Sequence, residues 1–247
     1  MLSVALSLCL LFAAVCGQTK LSGADKQELL EAHNHFRSKV NPIATNMEMM
    51  VWNNELATVA QTYAEQCVFE HNTDRVSQQN TFTSVGENIL LSQENPVNNY
   101  TGLVGEWQNQ GADYDYPMNT CSVSAVCGAY TQVVWANSNN VGCGVYRCNN
   151  STIGLLLVCN YGPAGNFIGQ SPFMTGNQSC SACPPNSTYC ESNLCTASPP
   201  TPTMDPTTTM VTVSMESTTT DSSAIITAGP SIVVVMAALY ATLKLVM

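Results

Sequence analysis

The segment CGAYTQVVWANSNNVGCGVYRC, Cys127–Cys148, sets the reading of the fold. It holds two runs rich in β-branched and aromatic residues, Ala129–Trp135 and Val141–Arg147, joined by an Asn-rich connection. A third such run, Ile153–Tyr161, follows. Runs of this kind separated by Asn and Gly predict strands. Upstream the period changes. Leu29, Leu30, His33, Phe36, Arg37 and Val40 recur at helical spacing, with Pro42 as the stop. A second helix carries Leu56, Val59, Ala60, Tyr63, Ala64 and Cys67 on one face, and a third contains Leu103, Val104 and Trp107. Helices first and strands later predict an α+β fold, with helices covering a mostly antiparallel sheet.

Outward from this region lie segments of other composition. Residues 1–17, MLSVALSLCLLFAAVCG, are an apolar run closing on small residues, with Val15 and Gly17 at the positions a signal peptidase reads. Residues 196–223 are mostly Thr, Ser and Pro and cannot bury enough surface to fold, so they read as an extended, O-glycosylated stalk. Residues 224–247 form a hydrophobic tail behind Ser222, Ser223 and Ala224, which fits a glycolipid-anchor signal. A single spanning helix over residues 225–243 is the alternative. The folded part is expected at 18–178, with a cysteine-rich knot at 179–195. Sequons begin at Asn99, Asn149, Asn150, Asn177 and Asn186.

The chain has 247 residues, 12 cysteines and a formal charge of −10, from 7 Lys+Arg against 17 Asp+Glu. An acidic chain has no basic face with which to displace counterions from phosphate, so a nucleic-acid partner is not expected. So many cysteines beside a secretory signal place the protein in an oxidising, extracellular setting. Two of them, Cys9 and Cys16, leave with the signal. Six lie in the folded region and allow 15 pairings. Four lie in CSACPPNSTYCESNLC, residues 180–195, where the C-x-x-C pair could belong to a zinc site, a redox motif or disulfides.

The strings AHNHFRSKVNPIATNMEMMVWNNELATVAQTYAEQCVFEHN (32–72), VGENIL (85–90), CGAYTQVVWANSNNVGCGVYRC and VCNYGPAGNFIGQSPF (158–173) resemble the CAP superfamily. This group holds the cysteine-rich secretory proteins, antigen 5 and plant pathogenesis-related class 1 proteins. The resemblance implies a three-layer α-β-α sandwich, stapled by Cys67–Cys148, Cys121–Cys127 and Cys143–Cys159. It also implies Cys180–Cys190 and Cys183–Cys195 in a hinge, here without the ion-channel regulatory module that follows it in cysteine-rich secretory proteins.

Many members of that superfamily carry two histidines and two glutamates in a cleft, where the imidazoles can hold zinc. The resemblance places His71 and Glu87 at two of the four positions. The others hold Ala129 for a histidine and Gln110 for a glutamate. Glu106 lies on the wrong turn to replace Gln110, and His33 belongs to the first-helix motif. One imidazole and one carboxylate are too few for a closed metal site, so no metal and no cofactor are expected.

Three functional classes are then open. A hydrolase could use His71 as base and Glu87 to orient it, but no serine sits in a nucleophile motif and the cysteines are assigned to bridges. A sterol or lipid binder could use the loop 113–126, with Tyr114, Tyr116 and Pro117 covering an apolar ligand, or those rings could be packing residues. The reading adopted is a non-enzymatic binding protein, secreted or held at the outer cell surface through its tail. Its partner is an extracellular protein or a lipid.

Overall fold

The computed structural model describes residues 20–94, 97–149 and 154–199. The expected signal peptide, nearly all of the expected stalk, the hydrophobic tail and the sequon at Asn150 lie outside the described residues. In chain order the elements are α1 (Gly23–Arg37), β1 (Val51–Trp52), α2 (Asn54–Ala64), β2 (Gly86–Ser92), α3 (Tyr100–Asn109), β3 (Tyr114–Asp115), β4 (Thr120–Cys121), α4 (Gly128–Val133), β5 (Asn140–Arg147), β6 (Leu155–Gly162), β7 (Tyr189–Glu191) and β8 (Leu194–Thr196).

Local chemistry fixes the helix starts. Ser22 opens α1 with a capping box: its Oγ accepts from the Asp25 N–H while the Asp25 carboxylate accepts from the Ser22 N–H. Asn53 caps α2, its Oδ1 accepting from the N–H groups of Glu55 and Leu56. The first helix ends at Arg37, short of Pro42, and Val40 packs on the core from the loop beyond.

The main sheet runs β1-β5-β6-β2; β5–β6 and β6–β2 are antiparallel and β1–β5 is parallel. Successive side chains on a strand point to opposite faces, and here both faces are covered. Leu155, Leu157 and Tyr161 of β6 join the cluster of α1, α3 and α4, while Leu156 and Val158 join Ala60, Tyr63 and Ala64 of α2. Every residue of β6 is therefore buried. This is the three-layer α-β-α sandwich.

The short strands β1, β3, β4, β7 and β8 were not expected from the sequence, and two elements at the site also differ from its reading. Ala129–Trp135, expected as a strand, is largely helix α4. Tyr130, Val133 and Val134 are spaced to reach the core from one helical face, and the Thr131 Oγ–H returns to the Cys127 carbonyl. That spacing outweighs the β-branched composition. The other difference is β2, which was not expected as a strand. Its Glu-Asn start and Ile-Leu-Leu run show no alternation because both of its faces are covered.

The disulfides join Cys67–Cys148, Cys121–Cys127, Cys143–Cys159, Cys180–Cys190 and Cys183–Cys195. These are the pairs that the resemblance implied. The cysteine-rich hinge is not a separate knot hanging from the domain. The Cys195 N–H donates to the Met47 carbonyl at 2.7 Å, the Met49 N–H donates to the Cys195 carbonyl at 2.8 Å, and Leu194 sits in the main core.

Candidate functional site

The site forms where β2 meets α4 and the loop after α2. Neighbouring residues of β2 point to opposite faces, so Glu87 and Asn88 serve different layers. On one face the Asn88 Nδ2 group donates to the Ala129 carbonyl at 3.0 Å and to the Tyr161 hydroxyl at 3.1 Å. The Tyr161 hydroxyl lies 2.9 Å from His33 Nε2, and His33 Nδ1 lies 2.7 Å from the Leu29 carbonyl. The carbonyl can only accept, so Nδ1 carries the proton and Nε2 accepts from Tyr161. Burial pulls the His33 pKa down to about 4, and the ring stays neutral. This buried chain ties α1, β6, β2 and the start of α4 together and so fixes where Ala129 stands. His33 is a structural group.

On the other face Glu87 Oε1 accepts from His71 Nδ1–H at 2.9 Å and from the Asn72 N–H at 2.9 Å. The Glu87 side chain is 0% exposed and that of His71 66%, so the carboxylate forms the floor and the imidazole the wall. Burial pushes the Glu87 carboxyl above its ordinary pKa, against the opposing pull of the His71 and Asn72 hydrogen bonds and the nearby Arg75 charge. Among the described residues, Glu87 Oε2 is buried with no hydrogen-bond partner. Arg75 holds the loop, its guanidinium donating to the carbonyls of Val85 and Asn72.

The two departures from the superfamily pattern face this pair. Ala129 offers only a methyl group. Gln110, at the end of α3, spends its Oε1 on the Ala129 N–H at 3.1 Å. The four positions line one cleft of about 370 Å³, together with Phe69, Glu70, Ile89 and Val126. His71 is the single imidazole among its lining residues, Glu87 Oε1 already accepts two hydrogen bonds, and the exposed Glu70 carboxylate does not converge with His71 and Glu87 on a common point. A zinc site built from the protein needs three or four converging ligands, and this donor set does not fit one. Among the described residues the cluster that could otherwise hold a metal, Cys180, Cys183 and Cys195, is tied up in disulfides. Glu106 is exposed, and His35 is exposed beside Lys39.

The aromatic loop is packed. The Tyr114 hydroxyl donates to Asn119 Oδ1 at 2.6 Å, Tyr116 donates to the Phe173 carbonyl, and the rings of Tyr116 and Phe173 stack at 4.7 Å. Pro117 is exposed. Asn99, Asn149, Asn177 and Asn186 are exposed, and Asn99 also caps α3. Sequence reasoning did not find Asn72, Arg75 and Asn88, which position the cleft groups. No spacing marks them, because each acts through a contact made only in the fold.

Comparison with known proteins places the fold. Residues 30–161 match the profile of the cysteine-rich secretory protein family, CAP. GLIPR1-like protein 1 of Homo sapiens is 43% identical over 174 residues, covering 67% of this chain and 69% of its own. Peptidase inhibitor 16 of Bos taurus is 39% identical over 196 residues, 76% of this chain but 39% of its own. The chain thus spans about two thirds of the first relative and two fifths of the second. Among solved structures, NaASP2 with Zn²⁺ aligns with a TM-score of 0.59 and 28% identity, over 71% of this chain and 97% of that one. Na-ASP-1 aligns with a TM-score of 0.56 and 25% identity, over 69% of this chain and 46% of that one.

Proposed function

Because the chain belongs to the cysteine-rich secretory protein (CAP) family, we propose that it is a non-enzymatic binding protein, displayed outside the cell, whose cleft works without metal. The observation that carries this reading is the pairing of Ala129 with Gln110 opposite His71 and Glu87, a cleft with one imidazole and one buried carboxylate. The zinc in NaASP2 is a property of that relative; in this chain the cleft offers a methyl group at Ala129 and an amide already engaged at Gln110. Hydrolysis is disfavoured for a related reason. His71 and Glu87 form a base-and-orienter pair with no nucleophilic side chain among the cleft residues. Two further points favour binding. Relatives carry the name peptidase inhibitor, and the tyrosines of the loop 113–126 pack on their own domain, which leaves the lipid reading without a specific support.

In this reading residues 1–17 direct secretion, 18–195 form the folded ectodomain, 196–223 hold it away from the membrane, and 224–247 supply the attachment. The partner is an extracellular protein. Calorimetric titration of the purified protein with zinc tests the cleft. The expected result is no micromolar binding. Micromolar binding that disappears in His71→Ala would overturn the reading.

A further inference from the structure

Beside the cleft lies a second hollow of about 310 Å³, lined by Trp135, Phe167, Ile168 and the Cys121–Cys127 disulfide. Gly128 and Asn166 line both, so the two adjoin across the start of α4. Three separate loops bring exposed apolar side chains to this surface: Phe69 from the loop after α2, Val126 from the disulfide loop, and Phe167 with Ile168 from the loop after β6. Ile168 is fully exposed, at 103%. Soluble domains seldom gather such side chains around concave surfaces unless something covers them. The loops are held: Cys121–Cys127 closes one, and the Thr131–Asn166–Gly128 hydrogen bonds pin another, at 2.7 and 2.8 Å. A surface fixed in advance loses little freedom when a partner binds.

The charge is one-sided. Glu70 and Glu87 line the cleft, and no Lys or Arg lines either hollow among the described residues. His71 adds to this. In the neutral ring, with Nδ1–H given to Glu87, Nε2 is an acceptor. The exposed Glu70 carboxylate and that lone pair suit a group that only donates hydrogen bonds, while the methyl of Ala129 keeps space open beside them. Resting on the binding reading above, we propose that the two hollows form one groove for an extended segment of a partner protein. That segment places a Lys or Arg side chain in the cleft and an apolar side chain next to Trp135 and Phe167. Complementary charge sets the register and apolar contact supplies affinity, as at other protein interfaces.

The test is selection of phage-displayed random dodecapeptides on the full chain expressed by mammalian cells, followed by affinity measurement on variants. Enriched peptides are expected to carry Lys or Arg within a few residues of a large apolar side chain. They should bind Phe69→Ala/Val126→Ala about tenfold more weakly, and Glu70→Gln about threefold more weakly, as for a partly exposed charge pair. Ile168→Ala should weaken binding too. All the substituted side chains are exposed, so an unchanged Tm identifies a binding effect. Acidic or uncharged binders that still lose affinity in Phe69→Ala/Val126→Ala would overturn the proposed partner chemistry and leave the binding reading standing. Absence of any binder sensitive to these variants would overturn the groove. So would binding of phosphatidylcholine–cholesterol vesicles through Phe69 and Val126 in place of peptides. Zinc affinity, measured separately, tests the metal-free cleft by itself.

Discussion

Glu87 shows how one side chain can be read from a motif while its energetics cannot. Its place beside His71 was legible in CVFEH and VGENIL, yet nothing in those strings says that one oxygen takes both N–H donors while the other is buried without a partner. Burial raises its pKa above the ordinary carboxyl value. A carboxyl raised on folding favours the native state in its protonated form. That contribution is complete below the unfolded carboxyl pKa and is lost as pH rises through the higher folded value. Glu87→Gln stays neutral throughout while keeping an acceptor for His71 and Asn72. Urea unfolding of both proteins across the acidic range should therefore show the stability of Glu87→Gln, relative to the native residue, rising with pH in that interval. A constant difference would mean that the hydrogen bonds to the carboxylate balance its desolvation, and a falling one that they outweigh it. Ala129 and Gln110 were equally legible as departures. The bond between Gln110 and the Ala129 N–H was not, because it depends on where α3 ends against α4.

At the scale of elements, α2 and β5 approach backbone to backbone. A side chain added at Gly144 would place its first carbon 2.3 Å from the Gln61 main chain, and one at Gly142 would lie 2.3 Å from the Ala57 nitrogen. Strand and helix backbones therefore touch, and the two glycines of NVGCGVYR are required by that approach and not by a turn. Because backbone cannot move aside cheaply, Gly144→Ala is expected to destabilise the protein by about 1–3 kcal/mol, read as a lowered urea midpoint with an unchanged slope. No loss of stability would show that α2 can lift from the sheet. The helical segments were legible because each buries one stripe. Of the elements that escaped, two did so for opposite reasons: α4 is a short helix built from strand-forming residues, and β2 is a strand without alternation since helices cover both its faces.

Across the whole molecule, the bridges differ in what they constrain. Cys67–Cys148 spans 81 residues and joins the end of α2 to the end of β5, whereas Cys121–Cys127 spans 6 and joins β4 to the start of α4. Chain-entropy reasoning gives about 4–5 kcal/mol for the first and about 2 kcal/mol for the second. Replacing each pair by alanines and comparing urea unfolding should reproduce that order, and the reverse order would remove loop closure as the main effect. The hinge adds a point that composition could not supply. Leu194 enters the core and Cys195 bonds to the backbone near Met47, so residues 179–195 stabilise the domain that carries the cleft. With every described cysteine bridged, no thiol is available for catalysis or metal binding among the described residues. The central claim then rests on the two substituted cleft positions. Its most direct measurement is a paired zinc titration of the native protein and the double variant Ala129→His/Gln110→Glu. The account predicts no micromolar binding by the native protein and zinc binding gained by the variant, lost again when His71→Ala is added. Micromolar binding by the native protein, abolished by His71→Ala alone, would contradict it.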